Sequence, residues 1–467
     1  MARPVQERRS TLAVLCLVAA IALLCYAIIR PLIQRYGLGL LLPPSTRRLN
    51  LTNAQHREII ENHTFVVVGG SHRGGTTIFW RLLASHPDVS GFPEHGVETD
   101  FAEGSFLQTV LPTFGVGTEL MGAARRRDVG LGRYAFSPSA HMDEHHPLNT
   151  NASSLKLVSE WGYHWNLSRP VLLEKTPTDM LTSRLLQALL TPPQTSFIFI
   201  TRHPLAVALA HRRWRCCDRM SVQSLLLHWA VGHRLLALDL PHLARARTLR
   251  YEDLALRPSK CLHRTLKWLD LRSSPSIDEG VSRVSATVTS DANRKYEKAY
   301  CKEHLRTRKM ARTHCAMANA LQPVLDEMGL GYDLRTGGPL GFSCVHKRLI
   351  DKGFAPPSKK VIGGGTGSLD KVAAAASARA GGRMLRRKDG GGGRRRGNHT
   401  PTWPAGAKAC DGVAPDPMLL EALGAHASAV LSAGAASEGR KRLALGDGGG
   451  TERQLCHYKR KGEKSSN

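Results

Sequence analysis

Nine consecutive residues, Gly69-Gly70-Ser71-His72-Arg73-Gly74-Gly75-Thr76-Thr77, have the composition of an anion cradle. They lie between an apolar run, Thr64 to Val68, and a segment with Ile78, Leu82 and Leu83 at helical spacing. The layout is therefore strand, glycine-rich turn, helix. Backbone N–H groups of such a turn point inward, and the helix start adds positive potential. Gly70 to Gly75 has the spacing of the triphosphate loop G-x-x-x-x-G-K-[ST], but Thr76 stands where that loop carries lysine. That lysine contacts the β and γ phosphates, so its loss argues against a kinase or GTPase. Arg73 instead places a forked cation inside the turn.

Two further segments follow apolar strands. Thr201-Arg202-His203-Pro204 comes directly after Ser196–Ile200, and Tyr251-Glu252-Asp253-Leu254 directly after Ala246–Arg250. Open α/β sheets bind ligands at the carboxyl ends of their strands, so Arg202 is placed to hold a second anionic group.

The order VVVGGSHRGGTTIFWRLLASHPDV, then FIFITRHPLAVALAHRRW, then TLRYEDLALRP resembles the sulfotransferases that use 3′-phosphoadenosine 5′-phosphosulfate. The resemblance covers about Thr64 to Leu271 and continues weakly to Gly331-Tyr332-Asp333-Leu334. It implies that Arg73, Gly74, Gly75, Thr76 and Thr77 grip the 5′-phosphosulfate and that Arg202 holds the 3′-phosphate, with Tyr251 also on the nucleotide. The family places a serine eight residues after that arginine; this chain has Ala210 there, and the adjacent His211 reads as a surface histidine.

Sulfuryl transfer needs a base for the acceptor hydroxyl and positive charge at the leaving phosphate oxygen. Glu94, in Ser90-Gly91-Phe92-Pro93-Glu94-His95-Gly96, stands where the tyrosylprotein sulfotransferase branch carries its catalytic glutamate. His95 is the alternative, and Gly96 replaces an arginine usual in that branch. Lys175, in Leu173-Glu174-Lys175-Thr176-Pro177, resembles the lysine that neutralises the leaving group; the competing reading is a surface lysine at a helix start. The resemblance thus implies a Golgi-type enzyme that moves a sulfuryl group to a protein tyrosine or carbohydrate, without a metal.

His141-Met142-Asp143-Glu144-His145 fits the inverted zinc-protease signature H-x-x-E-H, yet Pro138 and Pro147 leave barely two helical turns for it. Ala210 motivates a catalytically inactive cofactor- or glycan-binding relative. Nucleic-acid binding rests on charge alone, and the membrane anchor argues against it.

The elements that must position these residues alternate apolar runs with helical patterns from about Glu61 to Leu334, within a domain read as residues 61–350. Strands are expected at Thr64–Val68, Pro170–Leu173, Ser196–Ile200 and Ala246–Arg250, with a helix over Leu205–Trp214. Strands apolar throughout suit a sheet buried on both faces. The expected fold is α/β, a P-loop-like parallel sheet flanked by helices. Residues 351–467, rich in Gly, Ala and Arg, read as a disordered basic tail.

The 467 residues carry a formal charge of +27, which suits an acidic partner. Thr11 to Ile29 contains no charge; nineteen helical residues reach about 28 Å, near the bilayer's hydrocarbon thickness. We read residues 1–10 as cytoplasmic, 11–33 as a signal-anchor and 34–60 as a stem. That makes a single-pass type II Golgi membrane protein with its bulk in the lumen. Sequons at Asn50, Asn62, Asn151, Asn166 and Asn398 favour the lumen. So do Cys261, Cys301, Cys315 and Cys344, which could pair in an oxidising compartment.

Overall fold

A computed structural model describes residues 47–93, 103–113, 131–214, 217–285, 293–336, 342–354, 410 and 412–425. The anchor, Glu94, His95 and Asn398 lie outside these. Among the described residues no helix is long and apolar enough to cross a membrane.

The described residues open with α1 (Asn53–Asn62), whose N-terminus is closed by a reciprocal cap between Thr52 and Gln55. There follow β1 (Thr64–Gly70), α2 (Thr76–Ala84) and the short edge strand β2 (Val89–Gly91). Next come α3 (Asn151–Gly162), β3 (Val171–Lys175), α4 (Ser183–Leu190), β4 (Thr195–Thr201) and α5 (Pro204–His211). The long α6 (Val222–Asp239) leads to β5 (Ala246–Arg250), and helices α7 (Tyr251–Leu256), α8 (Pro258–Trp268), α9 (Pro275–Ser285), α10 (Arg294–His304), α11 (Arg308–Glu327) and α12 (Ser343–Asp351) follow.

The strands form one sheet in the order β2-β3-β1-β4-β5, every neighbouring pair parallel. Parallel strands need crossovers, and helices supply them on both faces. Phe65–Val68 and Phe197–Ile200 are accordingly buried without alternation. Each such side chain contributes about 1.5–3 kcal/mol of burial free energy. The register sets Val68 opposite Lys175 and Gly70 opposite Ile200. Three strand ends, those of β3, β1 and β4, therefore stand side by side, with the end of β5 next to β4.

All four expected strands occur, each within two residues of its expected bounds. The expected helix after β4 stops at His211 rather than Trp214. Part of the expected disordered tail is ordered instead. Cys410 bonds to Cys315, the Asn319 side chain donates to the Cys410 and Val413 carbonyls, and residues 417–425 are helical with Leu419 and Leu423 buried. Sequence composition concealed this because the apolar anchors are few and far apart.

Candidate active site

The turn after β1 cannot be built by ordinary residues. Gly70 has φ +146°, and a Cβ there would lie 2.3 Å from the Ile200 carbonyl oxygen. Gly75 has φ +106°, and its Cβ would lie 2.4 Å from the Tyr251 ring. Both positions thus demand glycine on steric and conformational grounds. Between them Arg73 adopts φ 64° and is exposed, its guanidinium 5.0 Å from the Trp214 ring centroid. Gly75 caps α2 with no side-chain hydrogen bond, so the first-turn N–H groups lack a capping side chain. Thr76 is buried in the first turn and Thr77 is exposed beside it. This backbone fits a phosphate-type anion.

Arg202, 7% exposed, closes the next strand end. Its Nε donates to Asn293 Oδ1 at 2.8 Å and its Nη1 to the Arg73 carbonyl at 3.1 Å. The guanidinium lies 4.2 Å from the Tyr251 ring centroid and 5.4 Å from that of Tyr296. Glu252 organises this shell: it accepts from the His203 N–H, Asn293 Nδ2 and the Tyr332 hydroxyl at 2.9, 2.7 and 2.9 Å. Burial nevertheless raises the Glu252 pKa. Burial also raises the Tyr251 hydroxyl, against the pull of Arg202. At Tyr296 the order reverses: burial is outweighed by Lys295, Arg202, Arg213 and Arg73, which together hold its hydroxyl below the usual range. Four cations around one hydroxyl mark a region prepared for negative charge.

Lys175 is 2% exposed, which excludes the surface reading. Its Nζ donates to Glu103 Oε1 at 2.7 Å. Next to it Glu174 and Asp179 form a buried acid pair. Burial raises both, and the Glu174 charge pushes Asp179 further. Two facing carboxyl groups in such a place are stable when they share a proton. His72, in the turn, is driven well below its ordinary pKa by burial and then by His211, Lys175 and Arg73. It is neutral near pH 7.

The structure thus brings together Arg73, Gly74, Gly75, Thr76, Thr77, Arg202, Tyr251 and Lys175. Glu94 and His95 follow Pro93, the last described residue after β2. Ala210 is buried on α5. His211 is buried too, contrary to the surface expectation: its ring lies 5.4 Å from that of Trp214 and 6.4 Å from that of His72. Sequence reasoning missed Glu103, Asn293 and Tyr296, which no local motif marks. Glu252 and Trp214 sat inside quoted segments and were given no role.

The H-x-x-E-H segment is occupied structurally. His141 Nε2 bonds to both oxygens of buried Asp239 at 3.0 and 2.9 Å, and Arg184 donates twice to Glu144 at 2.7 and 2.8 Å. Residues 141–145 form no helix. Among the described residues no group of His, Cys, Asp or Glu is arranged to hold a metal ion.

Residues 66–275 match the model of the Sulfotransferase family. Among solved structures the chain is similar to the sulfotransferase domain of the Synechococcus PCC 7002 olefin synthase, at 21% identity and TM-score 0.28, over 46% of this chain and 76% of that one. It is similar to the sulfotransferase domain of the curacin biosynthetic pathway, at 17% identity and TM-score 0.30, over 63% and 99%. It is also similar to sulfotransferase STF1 of Mycobacterium tuberculosis H37Rv, at 12% identity and TM-score 0.33, over 52% and 79%. No curated protein matches the chain.

Proposed function

We propose that this protein transfers a sulfuryl group from 3′-phosphoadenosine 5′-phosphosulfate to a hydroxyl of a lumenal acceptor, a protein tyrosine or a carbohydrate. The observation that carries the reading is the meeting of the glycine-built turn, Arg202 and Lys175 at adjacent carboxyl ends of one parallel sheet. The family match over residues 66–275 supports it. The turn amides, Arg73, Thr76 and Thr77 bind the phosphosulfate; Arg202, stacked on Tyr251, binds the 3′-phosphate. The acceptor oxygen attacks sulfur, and the bond from sulfur to the bridging phosphate oxygen breaks. The electron pair stays on that oxygen, opposite Lys175, and Glu94 takes the acceptor proton, with His95 as the alternative base. The base assignment follows the tyrosylprotein sulfotransferase branch.

The compartment belongs to the same proposal: a Golgi membrane protein anchored by Thr11–Ile29. Two disulfides, Cys301–Cys344 and Cys315–Cys410, suit an oxidising lumen. The sequon residues Asn50, Asn62, Asn151 and Asn166 are all exposed, as a glycan requires. Glycosidase treatment of the expressed protein should raise its gel mobility; an unchanged band together with extraction by salt alone refutes the lumenal reading.

The test of activity is incubation with labelled donor and a mixed panel of peptides and glycans, alongside thermal melts. Stabilisation by 3′,5′-bisphosphoadenosine well beyond that by ATP with magnesium is expected, with label moving to one acceptor class. Stabilisation without transfer favours the inactive binding protein that Ala210 suggests. Equal stabilisation by ATP with magnesium favours a kinase.

A further inference from the structure

Three consecutive residues at the end of β3 each bind one of three consecutive residues in the segment 103–105. Glu174 Oε1 accepts from the Gly104 N–H at 3.1 Å, Lys175 Nζ donates to Glu103 Oε1 at 2.7 Å, and Thr176 Oγ1 accepts from the Ser105 N–H at 3.0 Å. The segment is also fixed from behind. Trp161 Nε1 donates to the Gly104 carbonyl at 2.9 Å, and a Cβ on Gly104 would lie 2.6 Å from Glu174 Oε1. Stability alone does not call for this arrangement, because a buried ion pair is often no better than apolar residues of the same volume. What it supplies is direction. A lysine ammonium is a point charge on a flexible four-carbon stem. A carboxylate bolted to the same strand end confines that stem and neutralises a charge that is 2% exposed. Lys175 is in register with Val68, the residue directly before the glycine-built turn, so the lysine stands at the strand end beside the cradle.

We infer that Glu103 is a positioning residue of the transfer reaction, holding the Lys175 ammonium in line with the oxygen that leaves. The inference rests on the sulfotransferase reading. Glu103 acts through Lys175, and it is separate from the proton acceptor assigned to Glu94. Misplacement of a reacting group by about 1 Å can cost about a hundredfold in rate.

The experiment is steady-state kinetics on the full chain with the acceptor found in the labelled-donor panel, together with bisphosphate-dependent thermal melts. Glu103→Gln should lower kcat by about tenfold or more, with KM for donor and acceptor held within about threefold. Glu103→Asp should recover at least a few-fold of the loss, since the charge returns and only its reach shortens. In a Lys175→Met background, Glu103→Gln should add no further loss, as expected of residues acting as one unit. Wild-type kcat in Glu103→Gln overturns the inference. So does an additive loss in the double variant. So does a loss of turnover and bisphosphate stabilisation in parallel, with no recovery by aspartate, which marks a merely structural part. If Glu103→Gln does not fold, Glu103→Asp alone and the double variant, which removes both charges, carry the same comparison. A wild-type chain that transfers no label overturns the sulfotransferase reading and takes this inference with it. A wild type that transfers, beside an equally active Glu103→Gln, overturns the inference alone.

Discussion

Arg202 is engaged through two nitrogens and one face at once, by Asn293, the Arg73 carbonyl and the Tyr251 ring. A lysine reproduces neither the planar fork nor the stacking. Arg202→Lys should therefore abolish most of the bisphosphate-induced rise in melting temperature, nearly as fully as Arg202→Ala; a wild-type shift in the lysine variant contradicts the assignment. Gly75 makes a second test. Alanine there meets both a positive φ and the Tyr251 ring, at a cost of about 1–3 kcal/mol. Gly75→Ala should lower the melting temperature and weaken bisphosphate binding together, and an unchanged protein contradicts the turn geometry. These residues were legible in the sequence because their chemistry is local: turn, cation and strand end lie within a few positions of one another. Glu103 and Asn293 were not. Each reaches its partner across the fold, and nothing near either one in the chain says where it will land.

The strands that carry the site were legible for a related reason. A strand buried on both faces needs a continuous apolar run, and β1 has one over Phe65–Val68 and β4 one over Phe197–Ile200. β2, with three residues, is too short to show a pattern. Helix α10 was invisible as part of the site, although Asn293 precedes it and Tyr296 lies in its first turn. Cys301, further along α10, is bonded to Cys344 on α12. Removing that bond, as in Cys301→Ser with Cys344→Ser, should cost about 2–4 kcal/mol and weaken bisphosphate stabilisation, because the element that supports Arg202 loosens. Removing Cys315–Cys410 should free residues 410–425 to protease while leaving the bisphosphate response intact. Indistinguishable effects of the two removals contradict this division of roles.

Six histidines among the described residues are held neutral by burial. Burial lowers His203 to about 3 and His211, His233 and His314 to about 4. It takes His72 and His228 well below their ordinary value as well. Unfolded, each titrates near about 6.5. Between that value and the folded values the unfolded chain binds more protons, so stability falls as pH falls, by up to about 1.4 kcal/mol per histidine per unit. Glu174, Asp179 and Glu252, raised by burial, and His141, raised against its burial by Asp239, oppose this: their folded forms take up protons first, so they add stability as pH falls through their folded values. The six buried histidines outnumber these opposing groups. Melting temperature should therefore drop between pH 7 and pH 5; a flat or rising curve shows that these rings are not buried neutral.

The hydrogen bond between Arg202 and Asn293 spans 91 residues of chain, and Glu252 is tied to Tyr332 across 80. A ribosome releases the glycine-built turn early and α10 late, separated by about ten to forty seconds at ordinary elongation rates of about 5–20 residues per second. Through that interval the emerging chain has its turn but lacks Asn293 and Tyr332, which brace Arg202 and Glu252. On the proposed function, nucleotide can therefore act as a template only once Tyr332 has emerged, while the cysteines of α10 and α12 are finding each other. On that proposal, a shortage of nucleotide or of oxidant during synthesis should leave the same step unfinished, and the two shortages should produce the same arrested intermediate.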